Sequence, residues 1–138
     1  MTDQIRILTV RDLRPKQRIL AFDVIDILRL LEPELEQTQW EVSGLECTGE
    51  ASERLYAIEA SRERVSGSVL REVTSKIRQV IDGKFVGHKG TAGPPWVTIL
   101  AWDSSGFDVL TADQAVLDRV RGRFKDVSEV PADQYKRC

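Results

Sequence analysis

The sequence predicts an α+β fold, in which a mostly antiparallel sheet of about five strands is backed by three to four helices. Two observations carry this prediction. A turn-forming stretch at residues 103–106 separates two short apolar segments, which is typical of a β-hairpin. Segments with the 3.6-residue period of amphipathic helices lie between strand-like segments, without regular β-α-β repeats. The predicted order is β-α-β-α-α-β-β-β-α.

Hydrophobic periodicity and punctuating residues place the elements of the first half. Pro33 ends the first helix, because proline disfavours helical geometry in the residue before it. Ser66 or Ser68 caps the longest helix, and Gly83 follows its end. In chain order the expected elements are a strand at 5–10, a helix at 17–31, a strand at 40–47, a short exposed helix at 50–61 and a helix at 66–81.

The second half begins with a short strand and a loop rich in glycine and proline. The expected strands are 84–88, 96–102 and 107–110, and the loop covers 89–95. Thr111 and Gln114 match a capping box, so the last helix begins there, with Phe124 at the end of its apolar stripe. The polar remainder is a final edge segment or, from about residue 126, a loose tail.

Length and composition indicate a single globular domain over residues 1–138. Hydrophobic residues make up 41% of the chain and charged residues 30%, which suffices for a core. The net charge of −2 supplies no basic field for a polyanion, so nucleic acid is not a favoured partner. No segment resembles an export signal or a membrane span, and we expect no membrane association.

The two cysteines, Cys47 and Cys138, are too few for the disulfide framework of a small secreted domain. We expect Cys138 to be a free thiol on the tail and Cys47 to be a buried small residue. These expectations favour a reducing compartment and therefore a cytoplasmic location.

Catalytic candidates converge on the segment around the single histidine. His88 lies at a predicted strand end and is a candidate general base, with Asp82 and Asp103 as candidate partners at neighbouring strand ends. No serine or cysteine nucleophile lies in a recognisable motif, and both aspartates precede residues typical of turns. A surface role for His88 and turn roles for the aspartates are therefore the preferred interpretation, with a small hydrolase or transferase as the alternative.

Neither a metal nor a cofactor is expected. One histidine and two distant cysteines are a poor ligand supply for zinc. Asp108 would join the other two aspartates at a magnesium or calcium site only if the three carboxylates converged. The glycines at 87, 90 and 93 recur around Lys89, but a β-pattern follows them instead of the helix that phosphate loops need.

Several surfaces suggest contact with another macromolecule. The candidate binding residues are two tryptophans on one face of the central strand and a basic cluster in the last helix: Trp96, Trp102, Arg119, Arg121 and Arg123. A second basic cluster at residues 11–18 precedes the first helix, and an acidic corner, Glu32, Glu34 and Glu36, follows that helix. Solvated charges and core tryptophans are the simpler interpretation.

The absence of a supported nucleophile, metal set or cofactor loop favours a non-catalytic protein that acts through protein–protein contacts. A bacterial immunity or antitoxin-type protein is one concrete version, suggested by small size and mild acidity. Self-association through Trp96 and Trp102 is a third hypothesis. No stretch carries a family motif from which residues could be transferred.

Overall fold

The computed structural model describes residues 4–90 and 92–137, and it has an α+β architecture built on one antiparallel sheet. Seven strands lie in the spatial order β3-β2-β4-β5-β6-β1-β7. In chain order they are β1 (Arg6–Val10), β2 (Gln39–Gly49), β3 (Val65–Ser66), β4 (Ile77–His88), β5 (Val97–Trp102), β6 (Gly106–Thr111) and β7 (Val127–Val130). The α+β class and the antiparallel sheet are confirmed, but the strands number seven rather than about five.

Within the described residues, four α-helices accompany the sheet: α1 (Val24–Leu30), α2 (Ser52–Ser61), α3 (Gly67–Thr74) and α4 (Gln114–Arg123). Short 3-10 turns cover Glu34–Gln37 and Ala132–Gln134. In the part of the chain that the structure describes, no helix is long and apolar enough to cross a membrane.

The core lies on one face of the sheet. Side chains alternate between the faces of a strand, and the register aligns Phe85, Ile99, Val109 and Leu8 across four strands on the same face. All four are fully buried and join one cluster with helix residues such as Leu28. The next register row, Lys84, Leu100, Asp108 and Thr9, therefore lies on the opposite face.

The largest error of the sequence prediction is the helix over 66–81. Ser66 caps α3 as expected, accepting a hydrogen bond from the Val69 amide, but the helix ends at Thr74. The segment from Ile77 onward belongs to β4, which pairs with β2 as far as Gly49. Gly83 lies inside this strand, where a Cβ would approach the Phe85 ring to 2.9 Å. Pairing with a long neighbouring strand has overridden the helical spacing of the apolar residues.

The helix predicted at 17–31 is also shorter, because α1 begins only after Asp23. The Asp23 side chain accepts from the Val24 amide, and the Asp26 side chain accepts from the Asp23 amide, which forms a capping box. In α4 the cap is Asp113, which accepts from the Ala115 amide. Thr111 instead donates to the carbonyl oxygen of Trp96, so the capping box predicted at Thr111 and Gln114 is wrong.

The C-terminal segment contributes an edge strand to the sheet, which is one of the two forms predicted for it. β7 pairs with β1 at the edge of the sheet, from Ile7 opposite Val130 to Val10 opposite Val127. The following residues 131–137, here called the tail segment, place Arg137 against Asp108 on the face opposite the helices. Cys138 lies outside the described residues, whereas Cys47 is buried with a free thiol.

Helix α2 protects the outer edge of β2. β3 pairs with β2 only at Gln39 and Trp40, so the rest of that edge lacks a neighbouring strand. Farther along, the Leu45 amide donates to Glu59, at 2.6 Å, and the Cys47 amide donates to the Tyr56 hydroxyl, at 2.9 Å. Two side chains of α2 thus satisfy amides that an open edge would expose to another chain.

Candidate functional site

The structure does not bring the three candidate catalytic residues together. Asp82, inside β4, accepts a hydrogen bond at 2.8 Å from the amide of Asp103, which lies in the β5–β6 turn. His88 ends β4, six residues from Asp82, which is about 20 Å along an extended strand. The His88 side chain is 12% exposed, and its Nε2 lies 3.8 Å from a carboxylate oxygen of Glu41. This Nε2 has no hydrogen-bond partner within the described ranges.

Asp108 lies apart from that turn as well. It is fully buried and accepts hydrogen bonds from Thr9, Tyr135 and Arg137, so the three aspartates form no common carboxylate set. Among residues 4–90 and 92–137, no group of three or more histidine, cysteine, aspartate or glutamate side chains is placed to hold a metal ion.

The two candidate tryptophans are half-buried and lie beside cations. Trp96 precedes β5; its indole Nε1 donates to Asp113 at 2.8 Å, and Lys89 lies 4.4 Å from its ring centre. Trp102 ends β5, with the guanidinium carbons of Arg11 and Arg137 at 5.7 and 4.4 Å from its ring centre. Cation–π contacts therefore engage both rings within the chain. Of the loop at 89–95, Thr91 lies outside the described residues.

Internal acids bind two of the three candidate arginines of α4. Arg119 forms a bidentate pair with Glu34 at 2.9 and 3.2 Å, and this arginine holds the pKa of Glu34 down at about 2. Arg121 binds Glu129 at 2.7 Å. Arg123 lies over the Phe124 ring at 4.8 Å. The predicted basic face and the predicted acidic corner thus meet each other at Arg119 and Glu34.

A different basic surface remains at residues 12–21, here called the basic hairpin. Leu13 bridges Leu20, and the backbone of Arg14 bonds with Ile19 and Gln17, in a turn that contains Pro15. Lys16 follows this proline with a φ of +60°, so Arg14 to Gln17 have the features of a type II turn. Sequence analysis placed the second half of this segment in a helix.

The cations of the basic hairpin differ from the other charged clusters because they form no ion pair within residues 4–90 and 92–137. Arg14, Lys16 and Arg18 form no ion pair, side-chain hydrogen bond or ring contact with any residue that the structure describes. The one acid of the hairpin, Asp12, accepts hydrogen bonds from the amides of Lys125 and Asp126. The hairpin is therefore a cationic protrusion on a chain of net charge −2.

The basic hairpin also exposes apolar surface. Leu13 is 49% exposed and Ile19 is 50% exposed, and these are the two most exposed large apolar side chains among the described residues. The Leu13–Leu20 bridge and the Arg14–Ile19 backbone bond put Leu13 and Ile19 on opposite sides of the hairpin, so each side chain offers a separate apolar contact point.

A cleft of about 490 Å³ lies between the basic hairpin and the start of β4. Its volume falls within the roughly 300–1,000 Å³ of ligand sites. Its wall from the hairpin includes Arg14 and Ile19, and its other residues are Leu20, Ala21, Phe22, Asp23, Ile25, Asp26, Ile77, Arg78, Gln79, Val80 and Phe107. The cleft thus combines apolar side chains with two arginines and two aspartates.

Asp23 is the electrostatically unusual group of this cleft. Its carboxylate accepts hydrogen bonds from the Val24 amide at 2.7 Å and the Val80 amide at 3.1 Å, which ties the start of α1 to β4. Burial raises the pKa of Asp23 from 3.8 to about 6, and the nearby Asp26 charge adds to this, although both amides oppose it. Raised carboxyl pKa values occur at acid–base sites as well as at structural positions.

The sequence pattern pointed to the cations at residues 11–18 but not to their hairpin, and it gave no sign of the cleft position of Asp23 or of the pairing of Asp108 with Arg137. The available signal for the hairpin was Pro15 within a run of cations, which is typical of a turn. The contacts of Asp23 with Val80 and of Asp108 with Arg137 join residues far apart in the chain, so no local pattern announces them.

Comparisons with protein-family models, with curated proteins and with solved structures found no match to this chain.

Proposed function

We propose that this protein is a non-catalytic binding protein that acts through protein–protein contacts, and that the basic hairpin is its contact surface. The observation that carries the proposal is the combination of exposed Leu13 and Ile19 with three cations that form no ion pair in the part of the chain that the structure describes. Buried apolar anchors supply binding energy, whereas complementary charges at the rim accelerate association and select the partner. The expected partner is a protein with an acidic surface around an apolar patch.

A protein partner is favoured over nucleic acid by the chemistry of the hairpin. Residues 12–21 contain no aromatic side chain on which a base could stack. The two apolar side chains at the surface are aliphatic, which suits a protein contact better than a phosphate backbone. An immunity or antitoxin-type protein, which neutralises another protein by covering it, is a concrete form of this proposal.

The test uses two charge-reversal variants of the full chain. The hairpin variant carries Arg14→Glu, Lys16→Glu and Arg18→Glu. The matched control carries Arg29→Glu, Arg62→Glu and Lys76→Glu, exposed cations outside the hairpin that have no ion pair among the described residues. Both sets of three substitutions change the net charge by the same amount. Thermal unfolding establishes that each variant is folded.

Tagged wild type and both variants are purified from the native cells with and without nuclease treatment, and bound proteins are quantified by mass spectrometry. We expect one protein to be retained in stoichiometric amount by the wild type and the control, and at least tenfold less by the hairpin variant. Equal retention by the hairpin variant would contradict the proposed surface. Retention that disappears with nuclease treatment would identify nucleic acid as the partner and overturn the proposal.

An enzyme is the second candidate, and Asp23 is the observation that favours it. A carboxyl group with a pKa of about 6 in a cleft can act as a general acid or base near neutral pH. This moves the hydrolase or transferase hypothesis from His88, Asp82 and Asp103 to the cleft beside the hairpin. Turnover in a substrate screen that Asp23→Asn abolishes, while His88→Ala retains it, would favour the enzyme over the binding protein.

A further inference from the structure

The Asp108 cluster forms a second site, on the sheet face opposite the helices. Asp108 is fully buried, and one of its oxygens accepts a hydrogen bond from the Thr9 hydroxyl at 2.7 Å. Tyr135 donates to the other oxygen at 2.7 Å. A buried carboxylate is costly unless a cation and hydrogen-bond donors compensate its charge. Here the cation comes from the tail segment.

Arg137 occupies this site in the manner of a bound ligand. Its Nε donates to one oxygen of Asp108 at 2.6 Å, and an Nη donates to the other at 2.9 Å. The same Nη lies 2.9 Å from the Thr9 hydroxyl oxygen, and the guanidinium carbon lies 4.4 Å from the centre of the Trp102 ring. A carboxylate fork below an aromatic face is the geometry that recognises a planar guanidinium in preference to an ammonium.

Two residues, Tyr135 and Arg137, connect the tail segment to the site. Residues 131–134 and Lys136 are exposed, and Tyr135 is the only partly buried residue between β7 and Arg137. Segments with few buried contacts open at a small fraction of the global unfolding free energy. A cavity of about 250 Å³ adjoins the site, with Lys84, Leu100, Trp102 and Arg137 among its lining residues. Space for an incoming group therefore lies beside the occupied position.

We propose that the Asp108 cluster is a guanidinium-binding site, which Arg137 occupies in the closed chain and which accepts the guanidinium of another molecule when the tail segment lifts. The ligand class is an arginine side chain or a small guanidinium compound. The incoming group replaces Arg137 on Asp108 and Trp102, so the buried carboxylate stays paired in both states. This site is separate from the basic hairpin and does not rest on the function proposed for it.

The first experiment tests the recognition by chemical rescue. In Arg137→Ala, Asp108 loses its cation, and the probe is methylguanidinium chloride at millimolar concentration. We expect the unfolding midpoint of this variant to rise by about 5 °C at a tenfold excess of probe over its Kd. The methylammonium ion has the same charge but lacks the two parallel N–H donors of a guanidinium. Methylammonium chloride at the same concentration should therefore leave the unfolding midpoint unchanged.

The double variant Asp108→Asn, Arg137→Ala is the control that removes the carboxylate, and it should not respond to methylguanidinium. If Arg137→Ala alone does not fold, the readout becomes its refolding, which methylguanidinium restores and methylammonium does not. Equal midpoint shifts with the two salts would contradict the proposed guanidinium site. So would a response of the double variant to methylguanidinium as large as that of Arg137→Ala.

The second experiment tests exchange in the wild type. The indole N–H resonance of Trp102 is followed by NMR while methylguanidinium is added to the intact chain, and we expect a saturable shift. A response of Arg137→Ala without any response of the wild type up to about a hundred times the Kd of the variant would show that Arg137 is a fixed structural group. That result would contradict the proposed exchange of Arg137 for an external guanidinium.

A third arm distinguishes the sources of the incoming guanidinium. Unlabelled wild type is added to isotope-labelled Arg137→Ala. A shift of the labelled Trp102 indole towards its wild-type position, together with dimer formation, identifies the tail segment of a second copy as the ligand. A response to methylguanidinium without a response to the added chain supports the site and assigns the ligand to another molecule.

Discussion

Replacing Asp23 by asparagine is expected to change the pH dependence of stability in a defined direction. The pKa of Asp23 is about 6 in the folded protein and 3.8 in its ordinary state, so the folded chain holds the proton more tightly. The stability that this proton contributes is complete below pH 4, and it is lost as the pH rises towards 6. At 1.36 kcal/mol per pKa unit, the total loss from well below pH 4 to well above pH 6 is about 3 kcal/mol.

Asp23→Asn removes this titration and keeps the shape of the side chain. One of the two amide contacts, to Val24 or Val80, is lost with the second acceptor oxygen, and this costs about 1 kcal/mol at every pH. Urea unfolding of both proteins, followed by tryptophan fluorescence from pH 4 to 8, measures the difference between them. Wild-type stability relative to the variant should fall by about 2 kcal/mol between pH 4 and 6.5 and then level off.

A difference that stays constant with pH would show that Asp23 titrates normally and that the cleft does not desolvate it. A difference that increases with pH would mean that a cation stabilises the carboxylate in the folded state. Either outcome would refute the reasoning from burial and remove the observation that favours an enzyme.

Two further predictions concern the fold. Gly67→Ala should destabilise the protein by about 3 kcal/mol, because its Cβ would lie 2.0 Å from the Leu35 carbonyl oxygen. Gly122 faces open space on α4, so Gly122→Ala should stabilise the protein by roughly 0.5–1 kcal/mol. Chemical unfolding of both variants measures the difference, and equal effects would contradict the close packing at Gly67. Tyr56→Phe should lower the free energy of unfolding by about 1–2 kcal/mol and promote self-association, because the Cys47 amide on the β2 edge loses its acceptor. Chemical unfolding and analytical sedimentation measure the two effects. If neither changes, water replaces the tyrosine hydroxyl at this amide.

The sequence predicted those parts of the fold whose signals are local. The β5–β6 hairpin follows from the residues at its turn, and α2 and α4 lie close to their expected positions. Ile77, Val80 and Ile81 satisfy a helical stripe as well as a strand, and only the pairing of β4 with β2 distinguishes the two. The helix over 66–81 was wrong because strand pairing between distant segments is absent from a local window.

The candidate site was harder to predict, because a charged side chain is available to another molecule only where no residue of the same chain pairs with it. Sequence reasoning treated the cations of α4 and those at residues 11–18 alike, since both are runs of like charge. In the structure Arg119 and Arg121 are neutralised by Glu34 and Glu129, whereas Lys16 has no counter-charge among the described residues. Local sequence reveals a charge but not its partner, and the partner decides whether that charge is available to another molecule.

The two proposed sites differ in whether their cations are already paired within the chain. A paired cation such as Arg137 can change partners only by exchange, because leaving Asp108 uncompensated costs several kcal/mol. An unpaired cation such as Lys16 can bind an acidic surface without breaking any internal bond. The hairpin should therefore associate quickly and with a strong dependence on salt, whereas the Asp108 cluster should exchange its guanidinium at a rate limited by the opening of the tail segment.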